Sequence, residues 1–305
     1  MLKISIQSGR FARNNDELDG FLALVKAAGI DGVDFPLYAF QNKDNPRFFD
    51  KPIDEIIEIL RPLKEALERH GLAVCQTHSP FPTYKPDDED FNTYQVRAHR
   101  KCCDLTRYLG CDLMVVHPAH HISMTPKEQK EKSIKLYSAL IEDAKRTGVT
   151  ILLENMWARR GGAGSAIFDS ACADANEAVD YIDTLNTMAG EELFGYCFDV
   201  GHASLCGKNM RNFLCTLGSR VKALHIHDTN RIDDTHTIPY SFCTTSGAPM
   251  TDWEGMLAGL GELGYRGAIN FEAATAFVTY PKPLYPALLH MFCTIGRYFS
   301  DEIEK

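Results

Sequence analysis

The chain has 305 residues, of which 45% are hydrophobic and 24% are charged, and its formal net charge at pH 7 is −9. This is the composition of a soluble globular protein, and it disfavours both a membrane protein and a broad nucleic-acid-binding surface. The N-terminal sequence MLKISIQSGR enters a predicted strand directly, without the pattern of a signal peptide, and the ten cysteines contain no C-x-x-C pair. We therefore expect a cytoplasmic protein with reduced thiols.

Short β-like runs alternate along the chain with helix-length amphipathic segments. The predicted strands are, in order, LKISIQ, GVDFPL, LAVCQTH, DLMVVHP, TILLEN, GYCFDV, VKALHIH and GAINFEA. Helices are predicted between and after them, near residues 15–28, 52–70, 92–109, 126–148, 174–188, 208–218, 252–264 and 284–303. Several helices are expected to end on glycine, the usual residue at a helix C-terminus: Gly29, Gly71, Gly110, Gly148 and Gly264.

This alternation predicts parallel strands joined by helical crossovers, and eight such units fit a single α/β domain, a (β/α)₈ TIM barrel over residues 1–305. The alternative, an open doubly wound sheet, needs a phosphate loop or a glycine fingerprint after an early strand. The segment GRFARNNDE after the first strand is neither. Because barrel enzymes build their sites at the carboxyl ends of the strands, the long loops 157–173 and 229–250 are functional candidates.

Six consecutive predicted strands end in histidine or a carboxylate. These residues are His78, His117, Glu154, Asp199 with His202 three positions later, His225 with His227, and Glu272. One such residue is usually structural, but six at the same level of one barrel indicate a shared site. Oxygen and nitrogen donors without thiolate suit one divalent ion, Mn²⁺, Mg²⁺, Co²⁺ or Zn²⁺.

The motifs HSP, VVHP, LLEN, FDVGH, HIHD and FE, in this order, resemble those of the xylose isomerase-like TIM-barrel superfamily. That superfamily includes ketose 3-epimerases, other sugar isomerases, inosose dehydratases and endonuclease IV. The segment TDWEGMLAGLGELGYRGAINFE is similar to its C-terminal part. The resemblance implies a metal held by Glu154, Asp199, His225 and Glu272, with the two glutamates also acting as acid and base. It further implies that His202 contacts substrate oxygens.

The expected chemistry is isomerisation or epimerisation of a ketose, aldose or related polyol. A metal ion stabilises the enediolate, and two carboxylates on opposite walls remove and return the proton. The partner is a small sugar, without nucleic acid or membrane, and a homodimer or homotetramer is possible. Further substrate contacts are expected from His78, His117, His227, Trp157 and Arg231.

Two other activities stay open. All nine ligands of the three-zinc endonuclease IV have counterparts, and Asp234 and His236 of DDTHTIP then form a second metal site. The local sequence departs from that of the nuclease. MWARRGG follows LLEN where the nuclease has a small glycine-containing turn, and DVGH stands where it has a cysteine directly before the histidine. DTHTIPYS lacks the glycine pair that follows the nuclease's D-x-H-H run. A metal-dependent dehydratase or lyase on the same scaffold is the other alternative.

Four further residues have open roles. Arg159 and Arg160 can close over an anionic substrate or remain solvated, and Asp34 can bind a hydroxyl or cap a loop. Alternation along strand 7 places His227 on the side of His225, with Asp228 pointing away to orient an imidazole or to cap the loop.

Overall fold

The structure is a computed structural model that describes residues 1–162 and 164–305, apart from the side chain of Arg10. Its centre is a sheet of eight parallel strands. They are β1 (Ile4–Gln7), β2 (Gly32–Pro36), β3 (Ala73–His78), β4 (Leu113–Val115), β5 (Thr150–Glu154), β6 (Phe194–Asp199), β7 (Val221–His225) and β8 (Ile269–Phe271).

The strands follow one another around a ring in chain order. Each pairs in parallel with the next, and β8 pairs with β1 in the register Ile4 to Ile269. A parallel bridge between Ile226 and Phe271 connects the end of β7 to β8 and completes the ring. The predicted TIM barrel is therefore confirmed.

Helices surround the barrel. They are α1 (Asn15–Ala27), α2 (Ile53–His70), α3 (Glu89–Tyr108), α4 (Pro126–Ser138), α5 (Ile141–Thr147), α6 (Ala175–Ala189), α7 (Val200–Leu205), α8 (Met210–Leu217), α9 (Trp253–Glu262), α10 (Ala276–Thr279) and α11 (Tyr285–Ile303). None of those in the described part of the chain is long and apolar enough to cross a lipid bilayer. All ten cysteines are free, in agreement with the expected reduced thiols.

The structure divides one predicted helix. The segment 126–148 forms α4 and α5, which are separated at Ala139 and Leu140. Arg100 of α3 donates from Nε and Nη2 to the carbonyl oxygen of Ala139, at 3.2 and 3.0 Å. In a continuous helix the Ala139 carbonyl oxygen would accept a hydrogen bond from a later main-chain amide. At the break it accepts hydrogen bonds from Arg100 instead.

The inside of the barrel is layered. Val115, Leu152, Cys197 and Ala223 form a small buried apolar cluster within it. Because successive residues of a strand point to opposite faces, each residue two positions later points to the same side. The residues two positions after Leu152, Cys197 and Ala223 are Glu154, Asp199 and His225. The apolar layer thus forms the floor beneath the polar strand ends.

Candidate metal centre and active site

Four neighbouring strands each deliver one side chain to a common point. Glu154 ends β5, Asp199 ends β6, His225 ends β7 and Glu272 directly follows β8. One ligand atom from each lies within 4.8 Å of the others, and all four side chains are buried. The structure therefore brings together the four residues that the sequence predicted as metal ligands.

Amide side chains hold two of these four residues in place, one through its carboxylate and one through its main chain. Gln7 Nε2 at the end of β1 donates to Glu272 Oε1 at 2.6 Å. Asn155 pairs with the main chain of Asp199, because its Nδ2 donates to the carbonyl oxygen at 2.7 Å and its Oδ1 accepts from the amide at 2.8 Å. Asp199 Oδ1 also accepts from the amide of His202 at 2.6 Å and so caps α7. This short helix, which the sequence did not predict, starts at a candidate ligand.

The two carboxylate oxygens of Glu154 face different histidines. Oε1 lies 3.3 Å from His225 Nδ1, whereas Oε2 lies 3.2 Å from His117 Nε2 and 3.7 Å from His78 Nε2. The Nε2 atoms of His78 and His117 are themselves 3.1 Å apart. Nitrogen lone pairs that converge on a carboxylate oxygen need a proton or a cation between them. Glu154 thus belongs to two groups of residues that could hold a metal ion, one with His78 and His117 and one with Asp199, His225 and Glu272.

A second group lies beside the first. Asp234 Oδ2 is 3.3 Å from His202 Nε2 and 3.0 Å from His236 Nε2. The rings of His227 and His236 stack with centroids 3.9 Å apart, and His227 Nε2 lies 3.2 Å from both oxygens of Asp199. Asp234 and His236, predicted as a second metal site, thus meet His202 and His227 in one group.

Main-chain carbonyl groups orient three of the site histidines. Each donates from Nδ1 to a carbonyl oxygen: His78 to that of Ser79 at 2.8 Å, His202 to that of Asn155 at 2.8 Å and His236 to that of Glu272 at 2.9 Å. A proton on Nδ1 leaves the lone pair on Nε2, the nitrogen that faces the other site residues. This is the usual arrangement of metal-ligating imidazoles.

Without a cation, protonated imidazoles balance the carboxylates. Burial opposes ionisation of Glu154, but His225 and His117 together outweigh it and hold the pKa of this carboxyl well below its usual range. Burial likewise opposes protonation of His202, but Asp199 and Asp234 outweigh it and raise its pKa well above the usual value. A divalent ion binds such a group by taking the place of these protons.

Several buried polar atoms of the site have no hydrogen-bond partner within the described residues. They are Glu154 Oε2, both ring nitrogens of His225, His227 Nδ1 and Asp234 Oδ1. Unpartnered buried polar atoms are costly, and these are oxygen and nitrogen donors aimed at one another. The residues present therefore fit a divalent metal.

A glycine makes room for one of the rings. A Cβ placed on Gly201 would overlap the imidazole of His227. Any larger residue would displace His227 from Asp199. The FDVGH motif thus combines a candidate ligand, a helix cap and the space for a neighbouring histidine.

A cavity of about 290 Å³ opens at the carboxyl end of the barrel. Its lining includes eight residues singled out in the sequence: His78, His117, Glu154, Trp157, His202, Asp234, His236 and Glu272. It also includes four that sequence reasoning did not assign to a site: Phe81, Pro82, His120 and Met156. Only their proximity to strand-end motifs, in HSPF, HPAHH and ENM, could have suggested them.

Trp157 reaches the cavity on a hairpin that the sequence did not predict. The strands Trp157–Arg159 and Ile167–Asp169 pair antiparallel within the long loop after β5. The Trp157 ring lies 6.4 Å from that of His202, between centroids, in an edge-on arrangement. The loop after β7 supplies Asp234 and His236, so both candidate loops contribute to the cavity.

Two of the expected substrate contacts, Arg231 and His227, are not among the described residues that line this cavity. Arg231 has a left-handed backbone, with φ at 59°, and its exposed side chain lies in a separate groove beside Tyr240 and Trp253. His227 is fully buried beside Asp199 and is not among the described residues that line the cavity.

Asp228 takes one of the two roles left open for it. Its Oδ1 accepts from Thr251 Oγ1 at 2.7 Å and its Oδ2 accepts from the amide of Phe242 at 3.1 Å. Asp228 therefore anchors the long loop after β7.

The profile of the family described as xylose isomerase-like TIM barrel matches residues 22–289. The chain belongs to this family. Its resemblance to the family, first visible in the strand-end motifs, is thereby confirmed.

Among curated proteins, the probable endonuclease 4 of Methanoculleus marisnigri is 25% identical over 178 residues, which are 54% of this chain and 59% of that protein. An uncharacterized protein, y4fM, of Sinorhizobium fredii is 27% identical over 100 residues, 33% of this chain and 30% of its own. The chain thus matches less than two thirds of each.

Solved structures share the fold along nearly the whole chain. A D-allulose 3-epimerase from Methylomonas sp. is 15% identical, with 98% of both chains covered and a TM-score of 0.71. A D-tagatose 3-epimerase-like protein is 18% identical, with 99% of this chain and 98% of that chain covered and a TM-score of 0.68. The IOLI protein, solved with a bound zinc atom, is 18% identical, with the same coverage and a TM-score of 0.64.

Proposed function

We propose that this protein is a divalent-metal-dependent isomerase or epimerase of a small ketose, aldose or related polyol. The observation that carries the proposal is the meeting of Glu154 and Glu272, which both line one cavity, with the buried Asp199 and His225. The two glutamates come from positions three strands apart on the ring and both line the cavity, so they can flank a bound sugar. Ketose 3-epimerases among the structures of the same fold support the proposal.

Glu154, Asp199, His225 and Glu272 are the residues that would hold the metal. A divalent ion bound there supplies a Lewis acid for the substrate carbonyl and stabilises enediolate charge. One glutamate removes the proton beside the carbonyl, and the other delivers a proton to the intermediate. Gln7 fixes Oε1 of Glu272, which leaves its other oxygen directed at the site.

The proposal is tested by stripping metal from the protein, reloading it with Mn²⁺, Mg²⁺, Co²⁺ or Zn²⁺, and screening ketoses, aldoses and inososes. We expect a product isomeric with the substrate, and when the reaction runs in D₂O this product should carry solvent deuterium at the altered carbon. A product lighter by one water would instead identify a dehydratase.

Glu272→Gln tests the assigned acid–base role. We expect kcat to fall by roughly 10²–10⁴-fold while metal remains bound, because the amide cannot exchange the proton. The control is Glu177→Gln on α6, outside the cavity, which should leave kcat unchanged. Full turnover by metal-loaded Glu272→Gln would refute the role.

Phosphodiester cleavage at a three-metal cluster is the second candidate. It is favoured by further ligand groups, among them that of His78 and His117 with Glu154 and that of His202, His227, Asp234 and His236. The partial likeness to a probable endonuclease 4 also favours it. Three equivalents of tightly bound metal together with cleavage of a labelled DNA duplex would establish this activity. One equivalent together with sugar turnover would establish the isomerase.

A further inference from the structure

His225 is oriented differently from the other site histidines. His78, His202 and His236 each turn Nδ1 outward to a main-chain carbonyl. His225 instead turns Nδ1 inward, 3.3 Å from Glu154 Oε1 and 3.3 Å from Glu272 Oε2. Its outward nitrogen, Nε2, lies 3.5 Å from Asp34 Oδ2.

Asp34 is a fully buried carboxylate on β2. Gln76 Nε2 and Asn270 Nδ2 lie 3.3 and 3.2 Å from its Oδ2 and donate to it, while Oδ1 has no partner within the described residues. Two neutral amides do not compensate a buried charge, so this carboxylate needs an N–H of an imidazole or a cation. The imidazole of His225 is the one that its Oδ2 faces.

We propose that Asp34 is a positioning residue for the metal ligand His225. Its Oδ2, 3.5 Å from Nε2, is placed to accept a hydrogen bond from Nε2–H, which keeps the Nδ1 lone pair directed at Glu154, Asp199 and Glu272. In His78, His202 and His236 a main-chain carbonyl performs this task. At His225 a carboxylate would do so, and it would make the imidazole a more basic metal ligand. The inference rests on the proposed metal site but not on the identity of the substrate.

The test measures Mn²⁺ affinity by chelator competition for wild type, Asp34→Asn and Asp34→Ala. We expect the dissociation constant to rise by roughly 10–100-fold in both variants, as for lost partners of metal-ligating histidines. Cys197→Ala is the matched control, because the Cys197 thiol is another buried group that interacts with His225, and the dissociation constant of this variant should stay within about twofold of wild type. Unchanged affinity in Asp34→Asn, or an equal loss in Cys197→Ala, would overturn the proposal.

A second readout needs no variant to fold. In ¹H–¹⁵N spectra of the Zn²⁺-loaded wild type, His225 should carry its proton on Nε2, and a proton on Nδ1 would contradict the proposal. Both measurements omit substrate. A protein that holds metal in this way but turns over no sugar therefore refutes the proposed function and not the role of Asp34.

The cavity walls carry an independent indication of substrate charge. Phe81, Pro82, Met156 and Trp157 supply the apolar and aromatic part of its wall. No lysine or arginine is among the described residues that line the cavity. The remaining lining residues are carboxylates and imidazoles.

The arginines near the mouth are engaged elsewhere. Arg159 Nη1 lies 2.8 Å from Asp233 Oδ1, and its Nη2 donates to the carbonyl oxygen of Ile232. The Arg160 guanidinium lies 5.6 Å from the ring centroid of Phe168, in a different surface pocket. Arg231 lines the separate groove described above. Arg159 and Arg160, which the sequence suggested for binding an anionic substrate, thus contact other groups.

We infer that the substrate is an uncharged, unphosphorylated sugar whose apolar face packs on the aromatic wall. A phosphate group is bound by cationic side chains or N–H donors that are free to face it, whereas imidazoles of this cavity pair with its carboxylates and with main-chain carbonyl groups. This inference rests on the proposed function and names the substrate class of the same site.

Calorimetry on the metal-loaded protein with D-fructose, D-fructose 6-phosphate and inorganic phosphate tests it without turnover. We expect the free sugar to bind at least tenfold more tightly than its phosphate ester. Trp157→Ala should weaken sugar binding about tenfold, while Trp157→Phe, which retains a ring, should stay close to wild type. Equal or tighter binding of the ester, binding of neither sugar, or equal affinity in Trp157→Ala would overturn the inference. Selective sugar binding without turnover would refute only the proposed function.

Discussion

Burial lowers the pKa of the histidines of this protein, and the neighbouring groups decide whether that effect prevails. His99 on α3 is fully buried, and neither ring nitrogen has a hydrogen-bond partner among the described residues. Burial, with small additions from His117 and His78, lowers the pKa of His99 to about 3. Burial also disfavours the charged form of His236, but Asp234 and Glu272 outweigh it and raise its pKa to about 10.

The environment of His99 predicts acid sensitivity. Its folded-state pKa lies below the unfolded value of about 6.5, so the unfolded chain binds the extra proton between these values. Its contribution to stability is complete above pH 6.5 and is lost as the pH falls. His99→Leu should therefore reduce the loss of unfolding free energy between pH 7 and pH 5 by about 2 kcal/mol.

Urea unfolding of the metal-free protein at pH 7, 6 and 5 measures this effect. His290→Leu, at an exposed histidine on α11, is the control and should leave the pH dependence unchanged. If the free energy of unfolding of His99→Leu falls between pH 7 and pH 5 as steeply as that of wild type, His99 is not the source of the acid sensitivity.

At the scale of elements, the hairpin after β5 connects two loops across the cavity mouth. Met156 and Ser170 begin and end it, with Ser170 N donating to the Met156 carbonyl oxygen at 3.1 Å. At its far side, Arg159 reaches the loop after β7 at Ile232 and Asp233. The contact of Arg159 with the loop after β7 thus helps to hold the hairpin, and with it Trp157, at the cavity.

Arg159→Ala should release this connection. The lost ion pair and carbonyl contact are worth about 1 kcal/mol, so we expect sugar binding to weaken roughly fivefold. Hydrogen exchange should accelerate in Trp157–Arg159 and Ile167–Asp169. Arg160→Ala, which removes a charge from the same hairpin but no contact to the β7 loop, should change neither. Equal exchange in the two variants would contradict the role of Arg159.

For the whole molecule, the join between β7 and β8 is where the candidate ligands meet. Ile226 N donates to the Asn270 carbonyl oxygen at 2.9 Å, and Glu272 N donates to the Ile226 carbonyl oxygen at 3.1 Å. His225 and Glu272 stand directly beside this bridge, one from each strand. A metal bound by His225 and Glu272 would connect β7 and β8 at the point where the ring closes.

Metal binding should therefore stabilise the barrel as a whole. At a free metal concentration one hundred times Kd, linkage adds about 2.7 kcal/mol, which corresponds to a rise in Tm of roughly 5 °C. The amides of Ile226 and Glu272 should exchange more slowly. Differential scanning calorimetry with and without Mn²⁺ measures the shift. His225→Ala should abolish it and His290→Ala should not, and a full shift in His225→Ala would remove His225 from the ligand set.

The barrel and the meeting of the strand-end residues followed from the sequence alone. Parallel strands of a closed ring all end on one face, and alternation along each strand places Glu154 above Leu152 and His225 above Ala223. These are consequences of backbone geometry. A local pattern of residue types is enough to predict them, whatever the details of packing.

Only the tertiary structure decided how the side chains are paired. The contact between Asp34 and His225 joins residues far apart in the chain, and the two-sided role of Glu154 depends on side-chain rotation within the ring. Arg231, whose backbone is left-handed, lines a separate groove. Such features arise from loop paths and rotamers, which depend on packing between distant segments and leave no periodic signal in the sequence.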